Sequence, residues 1–116
     1  MKPQESIKRS NSLLSPVESE KTVEKYLIDQ VQRLGGIAYK FVSPQRKFVL
    51  DRLCVLPGGI VWFVEVKSGD KVPSPGQFRE IERLTQKGHH ATWVCTIAGV
   101  NKVIKQMEEA LCKSST

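Results

Sequence analysis

The stretch from Val49 to Lys67 constrains the fold more than any other part of the chain. Two runs rich in β-branched and apolar residues, Val49 to Leu56 and Ile60 to Lys67, flank the turn signal Pro57-Gly58-Gly59. They predict two strands folded back on each other. With a three-residue connection, Leu56 pairs with Ile60, and the same register carries Asp51 opposite Glu65. A two-residue connection would pair Asp51 with Val66 and separate the two acids. In the first register the two carboxylates have Cβ atoms about 4.5–5.5 Å apart, where like charges destabilise a sheet. A divalent cation between them removes the repulsion. Magnesium suits such a place, because it binds through one or two carboxylates, waters and phosphate oxygens. Lys67 lies two residues beyond Glu65 and points to the same side of its strand. There it can stabilise charge on a phosphate or orient an attacking water. The plain alternative is a pair of charged strand ends forming an ordinary surface ion pair.

The rest of the chain supplies helices around this ribbon. Ser15 and Pro16 are placed as N-cap and first residue of a helix. Val23, Leu27, Val31 and Leu34 form its apolar face, and Gly35-Gly36 ends it. Ile37 to Val42 predicts a further strand, followed by the basic loop Ser43 to Lys47. After a loop from Ser68 to Pro75, Phe78, Ile81 and Leu84 predict a helix over Gln77 to Lys87, stopped by Gly88. Ala91 to Ile97 predicts a last strand and Val100 to Leu111 a closing helix. The order α-β-β-β-α-β-α implies an α/β fold with a mixed sheet flanked by helices.

Composition agrees with one such unit. The 116 residues are 40% hydrophobic and 26% charged, the usual balance of a single globular domain. At that length roughly two-thirds of the unfolded surface is buried on folding, without disulfides or structural metal. Residues 1–15 are expected to form a flexible basic tail and 16–113 the domain. No apolar run approaches the ~20 residues of a membrane span. Met1 to Asn11 lacks the apolar core of a secretory signal. Cys54, Cys95 and Cys112 are odd in number and scattered, which suits a reduced, cytoplasmic setting. The net charge of +6 permits a polyanionic partner without proving one.

Several segments together resemble the virus-type replication-repair nuclease (VRR-NUC) domain. They are Gly35-Gly36-Ile37-Ala38-Tyr39-Lys40-Phe41-Val42-Ser43-Pro44, Asp51-Arg52-Leu53, Leu56-Pro57-Gly58-Gly59, Trp62-Phe63-Val64-Glu65-Val66-Lys67 and Ser74-Pro75-x-Gln77. The likeness runs from about Glu20 to Ile104. That domain belongs to the PD-(D/E)xK superfamily of metal-dependent phosphodiesterases. The resemblance implies a restriction-endonuclease-like αβββαβ core with a C-terminal helix. Stand-alone phage-type members resemble compact dimeric nucleases that cut branched DNA such as four-way (Holliday) junctions, which would place the protein in a bacterial or phage-infected cytoplasm and in DNA repair.

Carried over by position, Asp51 matches the motif aspartate and Glu65 and Lys67 the E-x-K. Gln77 matches a glutamine on the following helix. The resemblance implies a metal, Mg2+ or Mn2+, held by Asp51, Glu65, the backbone carbonyl of Val66 and a glutamate of the first helix, either Glu20 or Glu24. No organic cofactor and no membrane partner are implied. Leu50 stands where the family has proline, which removes a residue that fixes φ on the approach to Asp51.

Lys40, Arg46, Lys47 and Arg52 surround the proposed site and are candidates for phosphate contacts; Lys71 and Arg79 are weaker ones. Adjacent His89 and His90 point to opposite sides of a strand and make a poor metal pair. Cys54, Trp62 and Trp93 read as packing residues, and Cys112 as exposed. A non-catalytic DNA-binding module that keeps the nuclease fold is the competing reading, followed by a structural or interaction domain.

Overall fold

The computed structural model describes residues 17–43, 45 and 49–114. The elements are α1 (Glu20–Arg33), β1 (Ile37–Lys40), β2 (Arg52–Leu56), a 3₁₀ turn (Pro57–Gly59), β3 (Ile60–Val66), α2 (Pro75–Gln86), β4 (His90–Val94) and α3 (Ile97–Ser114). The sheet runs β1-β2-β3-β4. Its first three strands are antiparallel, and β4 joins β3 in parallel after the α2 crossover. Leu56 pairs with Ile60 and Arg52 with Val64, so the three-residue register is the one adopted.

One side of the sheet holds the core. Ala38, Cys54, Leu56, Trp62, Val64, Val66 and Val94 alternate onto it. Helix α1 covers it with Val23, Leu27 and Val31, and α3 with Val100, Val103, Ile104 and Met107. The two helices are tied at their surface by Tyr26 Oη donating to Asn101 Oδ1 (2.6 Å) and by the Arg33–Glu108 ion pair (3.1 Å). On the opposite side α2 packs against β4, with Phe78 edge-on to Trp93 at 6.0 Å between ring centroids. Ile37, Tyr39 and Val55, on strands β1 and β2 of that side, are 36–51% exposed.

Several boundaries differ from those expected. Helix α1 starts at Glu20, not near Ser15-Pro16. Ser19 is its cap, accepting from Thr22 N–H at 3.1 Å. Glu18 is engaged by other contacts instead: Gly69 N–H donates to its carbonyl, and Ile97 N–H to its Oε1, both at 2.9 Å. Ser15, Pro16 and the rest of the expected tail lie outside the described residues. Strand β4 stops at Val94 and α3 begins at Ile97, because Thr96 caps it through Gly99 N–H (2.9 Å). Ile97, expected to end the last strand, therefore opens the closing helix instead. Likewise α2 begins at Pro75, with Ser74 and Gln77 forming a capping box.

Helix α1 ends in a Schellman motif: Gly35 N–H reaches Gln32 O and Gly36 N–H reaches Val31 O, both at 2.9 Å. Gly35 has φ +85°. Gly36 is needed for a different reason, since a Cβ there would lie 2.6 Å from the Val55 carbonyl oxygen. Gly36→Ala is expected to destabilise the fold by about 1–3 kcal/mol, the usual cost of overpacking. A urea unfolding midpoint unchanged from wild type would contradict that close approach.

Candidate active site

Asp51 and Glu65 come together at the end of the β2–β3 ribbon. Asp51 sits in the bend just before β2, flanked by Leu50, which is 1% exposed. Its backbone is held on both sides. Asp51 N–H donates to Glu65 Oε1 (3.2 Å), and its carbonyl accepts from Phe41 N–H (2.7 Å). Its carboxylate oxygen Oδ2 lies 3.4 Å from Val66 N–H, a long contact at the edge of hydrogen bonding. The two acids therefore lie beside one another, as the hairpin register requires.

Glu65 is 1% exposed. A buried carboxylate is costly unless its oxygens have partners. Oε1 takes the Asp51 N–H; Oε2 takes Gln77 Nε2 at 2.9 Å and Lys67 Nζ at 3.1 Å. Burial pushes the Glu65 carboxyl above its ordinary value, and the nearby Asp51 charge adds to that. The Lys67 ammonium and the Asp51 N–H pull it back only in part. Because the folded-state value is raised, the stability linked to this group is present below the ordinary glutamate range and is lost as pH rises through the raised value. Metal-free protein is thus expected to show a pH-dependent drop in unfolding midpoint that Glu65→Gln flattens; equal slopes in urea titrations of the two proteins would count against this assignment.

Gln77 connects α2 to the site. Its Oε1 accepts from Ser74 N–H (3.0 Å), which leaves the amide nitrogen facing Glu65. The Ser-x-x-Gln spacing was a readable capping signal. What it could not tell is that the same side chain also reaches β3.

The two candidate glutamates of the first helix do not join this pair. Glu24 Oε2 is taken by Arg52, at 2.8 Å from Nη2 and 3.1 Å from Nε. Glu20 is exposed in the first turn of α1. Among the described residues no group of three or more histidines, cysteines, aspartates or glutamates is gathered closely enough to hold a metal ion. Arg52, expected at the phosphates, has its side chain only 13% exposed and points into the sheet side covered by α1. Lys40 is exposed at the end of β1, opposite Arg52. Arg46 and Lys47 lie outside the described residues. Two structural acids escaped the sequence reading: Glu18, which caps α3, and Glu80, which is 8% exposed on α2 and paired with Arg83 at 2.6 Å. No spacing rule links Glu18 to a helix that begins 79 positions later.

The donor set fits a hard divalent cation in chemistry. It consists of two adjacent carboxylates, one of them made reluctant to ionise by burial, with an ammonium alongside. Remaining ligands would come from water, substrate or a moved side chain.

The αβββαβ order, the mixed sheet and an acid pair with E-x-K at the end of its central ribbon define a restriction-endonuclease-like fold. A solved structure described as a VRR_NUC domain superposes with a TM-score of 0.70. It shares 35% identity and covers 76% of this chain and 96% of its own. The sequence is also 51% identical over 70 residues to "Putative nuclease p44" of Acyrthosiphon pisum secondary endosymbiont phage 1, spanning 60% of this chain and 75% of that protein. No family model matches the sequence. The chain belongs to the VRR-NUC family.

Proposed function

We propose that the protein is a metal-dependent endonuclease that hydrolyses phosphodiester bonds in branched DNA, four-way junctions included. The observation that carries the chemistry is the convergence of Asp51, Glu65 and Lys67 at one end of the β2–β3 ribbon, with Lys67 Nζ 3.1 Å from Glu65. Nuclease membership and the net charge of +6 support DNA as the substrate. The preference for branched DNA rests on the likeness to compact phage-type relatives.

In this reading Asp51 and Glu65 hold magnesium or manganese. When bound, the ion supplies Lewis-acid polarisation of the phosphate and lowers the pKa of water. Glu65 binds as the anion, which burial otherwise disfavours, so metal affinity falls on acidification. Lys67 orients the attacking water or stabilises charge on the phosphoryl oxygens of the transition state. Gln77 holds Glu65 in place through its amide, which Ser74 fixes from the other end. Lys40, Arg46 and Lys47 contact phosphates beside the cut.

A two-fold symmetric junction calls for two identical sites, which a C2 dimer provides. The half-exposed Ile37, Tyr39 and Val55 on one side of β1 and β2 offer an apolar surface for a second copy. Under this proposal Val55→Glu shifts the sedimentation coefficient to that of a monomer and uncouples the paired nicks. Paired, coordinated nicking by a protein that sediments as a monomer would refute the dimer.

Cleavage of labelled four-way, flap and linear DNAs with magnesium, manganese or EDTA tests the function itself. The expected result is metal-dependent cutting that favours branched substrates. Salt-sensitive binding without product under any metal would mark a DNA-binding module instead.

A further inference from the structure

Arg52 follows Asp51 directly, yet its guanidinium is turned away from solvent and uses three donors on two acceptors. Nε and Nη2 both donate to Glu24 Oε2, at 3.1 and 2.8 Å, and Nη1 donates to the Ala38 carbonyl at 3.1 Å. The side chains are 13% and 23% exposed. One residue thereby joins helix α1, strand β1 and strand β2 at the position next to Asp51. On the other side of Asp51, Leu50 is buried at 1% exposure, where the family's proline would stiffen the chain by its ring. Asp51 lies outside the regular ladder, so its placement depends on what flanks it.

We propose that Arg52 is a positioning residue: clasped by Glu24 and the Ala38 carbonyl, it fixes the chain at Asp51, and it withholds Glu24 from the metal. The proposal rests on the nuclease reading of the site. It assigns the burial of Leu50 and the Arg52 clasp jointly to the task of holding Asp51. A lysine cannot replace the arginine. The clasp uses three donors of one planar fork aimed at two acceptors on different elements, which an ammonium on a flexible stem does not reproduce. A phosphate contact, by contrast, tolerates lysine well.

The test compares Arg52→Lys, Arg52→Ala and Glu24→Gln with wild type. Cleavage of four-way junction DNA gives kcat and KM, DNA affinity is measured in calcium at several salt concentrations, and Mn2+ binding is followed by electron paramagnetic resonance without DNA. The expected result is a kcat lower by about 10–100-fold in all three variants, as when the support of a ligand is lost. KM and the salt dependence of DNA binding stay at wild-type values, and Mn2+ binding is weakened but measurable. Three results would overturn the proposal. One is Arg52→Lys with wild-type kcat; another is Arg52→Ala with raised KM and a shallower salt dependence. The third is Glu24→Gln without Mn2+ binding while Arg52→Ala retains it. If wild-type protein cleaves no DNA, the nuclease reading fails while the clasp is still tested by Mn2+ binding and a double-mutant cycle of urea midpoints. Glu24→Gln combined with Arg52→Lys should then lower the midpoint no further than either change alone; additive losses would sink the clasp.

Discussion

Lys67→Ala is expected to reduce cleavage of junction DNA by on the order of 10²–10³-fold, the usual effect of removing one donor aimed at transition-state charge. Mn2+ binding should persist, because lysine is not a ligand. Removing the ammonium takes away one of three donors to Glu65 and the cation that holds its carboxyl down. The residual activity should therefore need a more alkaline pH than wild type to reach its plateau. The discriminating measurement is a pH–rate profile alongside Mn2+ titration. An unchanged profile with intact activity would remove Lys67 from the chemistry and leave it as an ordinary partner of a buried acid.

Glu65→Gln is expected to have a still larger effect on cleavage, about 10³-fold or more, since under the proposed function it removes a metal ligand and with it several kcal/mol of metal-derived stabilisation. Asp51→Asn should behave alike. Both substitutions preserve shape. The amide oxygen introduced by Glu65→Gln can still accept from Asp51 N–H, so the circular dichroism spectrum and the cooperative unfolding transition should be retained. Mn2+ binding should be lost in both. The pattern separates the three residues: two changes that remove metal and cleavage together, and one that removes cleavage alone. Glu65→Gln cutting junction DNA at the wild-type rate would refute the site.

How much of this was legible in the chain differs from residue to residue. The hairpin register follows from turn length, and the ladder pairs Leu56 with Ile60 as a three-residue connection demands. The helix faces are equally local: Val23, Leu27 and Val31, read at helical spacing, are all fully buried. Element ends were less legible. The Ser15-Pro16 signal is a sound helix start, but Ser19 offers another four residues later, and the contacts of Glu18 with Gly69 and Ile97 select it. At the end of the last strand, the Thr96 cap starts the closing helix at Ile97, a residue expected in the strand.

The site divides along the same line. Spacing along one ribbon sets Asp51 beside Glu65 once the connection has three residues, the register the ladder adopts, and alternation put Lys67 on the side of Glu65, because both rules depend only on neighbours within a strand pair. Whether Glu24 is taken up by another side chain, and whether Arg52 reaches outward to phosphate or inward to α1, depends on how a helix lies across a sheet. Glu20 and Glu24 are equivalent by helical spacing. Only the packing of α1 on β1 and β2 brings Glu24 within 2.8 Å of Arg52 and leaves Glu20 exposed. Local periodicity therefore determined the ribbon and limited its register to two choices, of which the folded ladder pairs the acids. Contacts between residues far apart in the chain, whose geometry no spacing rule encodes, decided the partners of the charges around it.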